Sequence, residues 1–296
     1  MILLSSLFRF RLFLLIMFSL ILNKNSFSQQ NKIIITAEKV VYKKIDSTLL
    51  NLHVYKPLNF HKDSIYNCIV FFHGGGWNNG SPRMFKRQSM YFASRGMIAI
   101  AAEYRIKNKH NTTPFEAVED AKSAIRYVRE NAKELSINPN MIVAGGGSAG
   151  GHLAAACGNI EGLDNPKENL KISSVPNALV LLNPVIDNGP NAFGYQRFRN
   201  RYKEISPIHN ISKGAPPTII LIGTKDKIIP VSTVKNYQTN MKTVGSRCEL
   251  VLYKDVGHAF FAKPPLKYFI ETTLEIDLFL NSLSYISGSP TINKQY

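Results

Sequence analysis

The run Met141-Ile142-Val143-Ala144-Gly145-Gly146-Gly147-Ser148-Ala149-Gly150-Gly151 constrains this 296-residue chain more tightly than any other segment. Its first four residues are apolar, as a buried strand requires, and the alanine-rich stretch 149–157 favours a helix. A strand that becomes a helix through so short a turn exposes the side chain at its apex, Ser148, and accepts only small neighbours. Gly146 and Gly150 allow close backbone approach, and Ala149 starts the helix, whose free N-terminal amides face any negative charge arising beside the serine. A phosphate-binding loop of the Walker type needs Gly-Lys-Ser/Thr, and no lysine is present.

The surrounding chain repeats the same alternation. Residues 32–42 and 49–55, rich in Ile, Val and Tyr, flank Lys44-Ile45-Asp46-Ser47 and predict an antiparallel strand pair. Residues 66–72, 97–102, 178–182 and 218–222 are short apolar runs of the kind covered on both faces of a sheet, and 249–253 reads as the last strand. Between them, helices are expected over 82–95, over 113–135 with Thr113 as cap and Pro114 as first residue, and over 266–283. Strands alternating with helices imply βαβ units and a mostly parallel, twisted sheet with helices on both faces. Residues 29–296 read as one domain with an insertion at 183–217, and the tail from Ser287 is expected to fray.

Three more segments carry chemistry. His73-Gly74-Gly75-Gly76-Trp77 closes the strand at 66–72. A glycine run can turn its amides inward, so Gly75 and Gly76, with Ala149, are the expected donors to an oxyanion, each worth about 3–4 kcal/mol to a tetrahedral intermediate. His73 is expected to brace this loop, and Trp77 either to line a substrate pocket or to fill the core. Asp226 follows the strand at 218–222, and His258 follows the last strand. A base histidine needs a carboxylate to hold its tautomer, and the order Ser148, Asp226, His258 suits a Ser-His-Asp acyl-transfer mechanism. Asp187 and Asp255 are the rival acids. The remaining histidines show no metal-ligand spacing, so neither a metal nor a cofactor is expected.

The formal charge is +16. No nucleic-acid-binding motif accompanies it, and nucleic acid is not an expected partner. The densest cluster, Arg197, Arg199, Arg201 and Lys203, would place its cations on one face if extended, where they could hold acidic groups of a polysaccharide. Three cysteines, Cys68, Cys157 and Cys248, give no disulfide framework. At the start, Arg9 and Arg11 precede an eleven-residue, almost wholly apolar run (12–22), and Ser26-Phe27-Ser28 offers a cleavage site before Gln29. That run is too short to span a bilayer, which needs about 20 residues. Residues 1–28 therefore read as a signal peptide, the product as exported to the periplasm or medium, and no stable membrane insertion is expected.

Together these motifs resemble the α/β-hydrolase superfamily, in the esterase/lipase branch related to hormone-sensitive lipase. Glu103-Tyr104-Arg105 and the segment Asp120 to Arg126 also look like that branch. Asn183-Pro184-Val185, Ser206-Pro207 and Gly214-Ala215-Pro216-Pro217 resemble secreted bacterial carbohydrate esterases of the bifunctional feruloyl and acetyl xylan esterase type. The resemblance implies an α/β-hydrolase fold and an ester substrate on a decorated oligo- or polysaccharide. The chain is expected to depart from lipase-like members in having no N-terminal cap, because the first strand begins a few residues after the expected cleavage site. His73 to Trp77 also resembles kynurenine formamidases, so an amidase is the alternative, and a non-catalytic binding protein a more distant one.

Overall fold

A computed structural model describes residues 35–292, so the signal-peptide reading of residues 1–28 lies outside the described residues. Eight strands form one sheet: β1 (Ala37–Ile45), β2 (Thr48–Tyr55), β3 (Tyr66–Phe72), β4 (Ile98–Ala102), β5 (Ile137–Gly147), β6 (Ala178–Leu182), β7 (Thr218–Gly223) and β8 (Cys248–Tyr253). Their spatial order is β1-β2-β4-β3-β5-β6-β7-β8. β1 and β2 form the expected hairpin, and β2 meets β4 antiparallel. Every pairing from β4 through β8 is parallel. The α/β arrangement expected from the alternation is the one observed.

Because side chains alternate across a strand, one apolar run supplies two cores. Val70 and Phe72 of β3 and Ile220 and Ile222 of β7 pack on one face, under α2 (Pro114–Glu130), α3 (Ala149–Asn159) and α4 (Val231–Thr243). Ile69, Phe71, Ile219 and Leu221 pack on the other, under α1 (Lys86–Ser94) and α5 (Lys267–Ser282). α2 begins as Thr113 and Pro114 predict: Thr113 and Glu116 form a reciprocal capping box, with Pro114 in the first turn. Its buried face holds Asp120, which pairs with Lys43 Nζ at 2.8 Å and with the Arg105 guanidinium at 2.8 Å. All three cysteines are free and buried.

The tail departs from expectation. Arg95 Nη2 donates to the carbonyls of Ser287 (3.1 Å) and Gly288 (2.9 Å), the Thr291 amide donates to Tyr91 Oη, and Ile292 is buried. Arg95 is itself fixed by Asp277 at 2.7 Å, so segment 287–292 is held by a buried ion pair and an apolar anchor rather than frayed. No helix of the described residues is long and apolar enough to cross a membrane.

Candidate active site

β5, β7 and β8 run parallel, so the residues just beyond their C-terminal ends gather at one edge of the sheet. Ser148, Asp226 and His258 each follow one of those ends. Ser148 sits at φ +54°, ψ −118°, outside the regions an L-residue normally occupies. Such strain amounts to about 1–3 kcal/mol and persists only where the surroundings over-determine it. Here the Ser148 amide donates to the Leu182 carbonyl (3.0 Å), and its carbonyl accepts from His152 (3.0 Å) and Val185 (3.2 Å). Small neighbours are obligatory: a Cβ on Gly150 would lie 1.9 Å from the Phe72 carbonyl oxygen.

His258 Nδ1 lies 2.7 Å from Asp226 Oδ2, and His258 Nε2 lies 2.8 Å from Ser148 Oγ. A carboxylate only accepts, so Nδ1 carries the proton and Nε2 is free to accept from the serine hydroxyl. The other Asp226 oxygen accepts from the amides of Ile228 and Ile229, both at 2.9 Å. Burial alone would raise the Asp226 pKa; the hydrogen bonds from His258, Ile229 and Ile228 outweigh it and hold the carboxyl below its ordinary range.

The rival acids stand elsewhere. Asp187 Oδ1 accepts from the Gly189 amide at 2.8 Å and lies 4.0 Å from His209. Asp255 is exposed and pairs with Lys225 at 3.2 Å.

The glycine loop approaches from the end of β3. Gly75 takes φ +121°, and a Cβ there would lie 2.1 Å from the Asn79 carbonyl oxygen, so only glycine fits. Among the described residues, no partner is recorded for the amides of Gly75, Gly76 or Ala149, which leaves them available as donors. His73 is buried; its Nδ1 donates to the Gly74 carbonyl at 2.7 Å, and its ring stacks on Tyr104 at 4.2 Å. Tyr104 Oη in turn donates to the His73 carbonyl at 2.7 Å. Burial pushes the His73 pKa down to about 4, so the ring is a neutral brace at pH 7. Trp77 is 1% exposed, packed by Phe193, Phe198 and His152, and also walls a small pocket with Arg197.

The basic run requires a correction. Residues 195–205 are not extended but wind through short helical turns, Tyr195–Phe198, Arg199–Arg201 and Tyr202–Ile205. Gly194 at φ +85° turns the chain, and Phe198 is buried against Trp77 and Phe115. The cations therefore do not share one face. Arg197 Nη1 donates to the Gly76 carbonyl at 2.5 Å, Arg201 pairs with Glu204 at 2.7 Å over the Phe115 ring, and Arg199 is exposed.

Two contributors escaped the sequence reading. Asn183, fully buried at φ +37°, donates from Nδ2 to His258 Nε2 at 3.4 Å. Met84 Sδ accepts from the Gly74 amide at 3.2 Å. Only the Asn-Pro-Val motif at 183–185 pointed toward the first, and nothing local pointed toward the second. Beside His258, a groove of about 590 Å³ is bounded by Lys225, Lys227, Ile228, Phe260, Lys263 and Tyr268, among others. Among the described residues, no cluster of three or more His, Cys, Asp or Glu could hold a metal ion.

Comparison with known proteins places the chain among esterases of the same fold. The BD-FAE family model matches residues 52–193, and that of the dienelactone hydrolase family matches residues 187–273. The structure of Thermogutta terrifontis esterase 2 phosphoramylated by tabun superposes with a TM-score of 0.83 at 41% identity, covering 88% of this chain and 100% of that one. The isoprenylcysteine alpha-carbonyl methylesterase ICME of Arabidopsis thaliana is 27% identical over 73% of this chain and 55% of its own length. An acetylxylan esterase of Xylanibacter ruminicola is 27% identical over 73% of this chain and 45% of its own length. The chain thus spans about half the length of the curated relatives it matches.

Proposed function

The chain belongs to the esterase branch of the α/β-hydrolase superfamily, and from that premise we propose that it is a carboxylic-ester hydrolase acting by a Ser148-His258-Asp226 acyl-enzyme mechanism. The observation that carries this reading is the continuous hydrogen-bond chain from Ser148 Oγ through His258 to Asp226, mounted on the strained turn after β5. Ser148 attacks the ester carbonyl as His258 Nε2 takes its proton. The oxyanion is received by the amides of Gly75, Gly76 and Ala149. His258 then gives the proton to the departing alcohol, and water attacks the acyl-enzyme with His258 again as base. Asp226 stays ionised throughout and stabilises the imidazolium that forms between the two proton transfers.

The alcohol half is read as a carbohydrate, which makes the enzyme an esterase of acetylated or feruloylated saccharides. Support comes from the likeness to an acetylxylan esterase and from the open groove beside His258, the residue that must protonate the leaving oxygen. The esterase relatives favour ester hydrolysis over the aryl-formamide alternative. The decisive experiment pairs wild type with Ser148→Ala. Wild type should hydrolyse p-nitrophenyl acetate and acetylated xylo-oligosaccharides and be labelled by a serine-reactive phosphonate; Ser148→Ala should do none of these. Retained hydrolysis by the variant refutes the mechanism, and cleavage of p-nitrophenyl acetate without any release of acetate from the oligosaccharides refutes the carbohydrate assignment.

A further inference from the structure

One residue beyond the glycine loop lies a pocket of about 240 Å³ that no step above uses. Trp77, Asn78, Lys107, Thr112, Thr113 and Arg197 contribute to its wall, which contains two cations and no acid. The neighbouring acid, Glu116, is committed to the helix cap, accepting from the amide and hydroxyl of Thr113. Two wall residues have unmet hydrogen-bonding capacity: Trp77 Nε1 and Thr112 Oγ1 are buried without a partner among the described residues. A buried donor left unpaired is unfavourable, and no protein group among the described residues relieves either one.

The pocket is also tied to the loop that bears the proposed oxyanion donors. Arg197 Nη1 donates to the Gly76 carbonyl, the Lys107 amide donates to the Trp77 carbonyl at 2.9 Å, and the Asn108 amide to the Asn78 carbonyl at 3.0 Å. With Nη1 engaged there, the remaining guanidinium N–H groups of Arg197 keep a planar edge suited to two coplanar oxygens. The guanidinium lies over the Trp77 and Phe193 rings at 5.6 and 5.9 Å, which limits its freedom.

We propose that this pocket binds a carboxylate group, and that the ester substrate carries that carboxylate on a uronic acid or a comparable organic acid. The binding half stands on the pocket alone; the substrate half rests on the ester-hydrolase reading. Arg197 and Lys107 supply the charge complement.

Trp77 is the chain's only tryptophan, so its fluorescence reports on this pocket without interference. The full chain is titrated with sodium glucuronate, with glucose and sodium sulfate as controls, by tryptophan fluorescence and by calorimetry. Glucuronate should give a saturable signal in both, weakening as salt rises, while glucose gives none and sulfate binds more weakly. Lys107 is exposed, so Lys107→Gln should leave the fold intact; it should weaken glucuronate binding roughly tenfold, the size of one charge-assisted hydrogen bond. The same variant should lose kcat/KM on a carboxylate-bearing ester through a higher KM and keep its rate on p-nitrophenyl acetate. Absence of a saturable heat with glucuronate, an equal response to glucose or sulfate, or unchanged binding in Lys107→Gln overturns the proposal. Glucuronate binding by a protein that hydrolyses no ester would sink the ester reading and leave the pocket standing. Ester hydrolysis without glucuronate binding would do the reverse.

Discussion

Asp226→Asn isolates what the acid does, because the structure fixes how an asparagine must sit. The oxygen Oδ1 accepts from two backbone amides, Ile228 and Ile229, at 2.9 Å each. An asparagine keeps both bonds only if its carbonyl oxygen takes that position, which turns its NH2 group toward His258 Nδ1. An NH2 group donates, so Nδ1 must become the acceptor and the imidazole proton moves to Nε2, the nitrogen 2.8 Å from Ser148 Oγ. The base is then blocked toward the nucleophile. Flipping the amide restores the tautomer but sets NH2 against two N–H donors, at about 1–3 kcal/mol for each unmet group. The expected loss in kcat is on the order of 10⁴, about 5 kcal/mol of transition-state stabilisation. Because the first arrangement loses only the long contact from Asn183 Nδ2 to His258 Nε2 (3.4 Å), the melting temperature should change little. Steady-state hydrolysis of p-nitrophenyl acetate, with thermal unfolding on the same samples, measures both. Activity within tenfold of wild type, or a greater loss in Asp187→Asn or Asp255→Asn, would refute the assignment of the acid.

Further outcomes follow from packing and charge. Gly150→Ala sets a methyl 1.9 Å from the backbone oxygen of Phe72, which cannot yield as a flexible side chain would; thermal unfolding should show a loss of about 2–3 kcal/mol together with lost activity. Asp120→Ala removes the fully buried carboxylate between Lys43 and Arg105 and leaves both cations to share the partly exposed Glu119, so urea unfolding should register about 1–3 kcal/mol of destabilisation. Burial alone would raise the Glu103 pKa, but hydrogen bonds from His53 and from the side chain and amide of Asn51 outweigh it and bring it down to about 2 from 4.5. Its folded pKa is depressed, so its contribution is complete above pH 4.5 and is lost as pH falls toward 2. Melting temperatures across that window should fall less steeply in Glu103→Gln than in wild type.

The parts of this molecule readable in its sequence are those whose chemistry is local. An apolar run covered on two faces, a proline after a capping threonine, and a serine within a glycine-rich turn each state their conformation within a few residues. Ser148, Asp226 and His258 could be named because each lies just past a strand, and parallel strands bring such positions to one edge. The basic run failed for the opposite reason. Alternation between 197 and 203 looked like a strand face, but Gly194 turns the chain, Phe198 seeks the Trp77 cluster, and Glu204 captures Arg201. Arg197 found its partner 121 residues away, on Gly76. The tail departs for a similar reason, since the Arg95–Asp277 pair that anchors it joins the C-terminal end of α1 to the buried face of α5. Neither long-range pairing leaves a periodic trace.

The bracing of the glycine loop shows why so much buried polarity is assembled on the β4 side of the site. Donors stabilise a transient oxyanion well only if they are fixed before the charge appears, since reorganising them during reaction would return the gain. Glycines alone cannot supply that rigidity; they make the loop possible and leave it loose. Its stiffness is imported from three directions. His73 closes onto the Gly74 carbonyl and stacks on Tyr104, whose hydroxyl returns to the His73 backbone. Arg105, next in sequence, is held on α2 by Asp120, which itself requires Lys43 from the β1 edge of the sheet. From above, Arg197 holds the Gly76 carbonyl. A buried carboxylate between two cations is a weak source of stability relative to apolar packing, and a strong means of fixing one arrangement. At this position the second property is the useful one, because the residue it fixes is one step along the chain from the tyrosine that supports the loop.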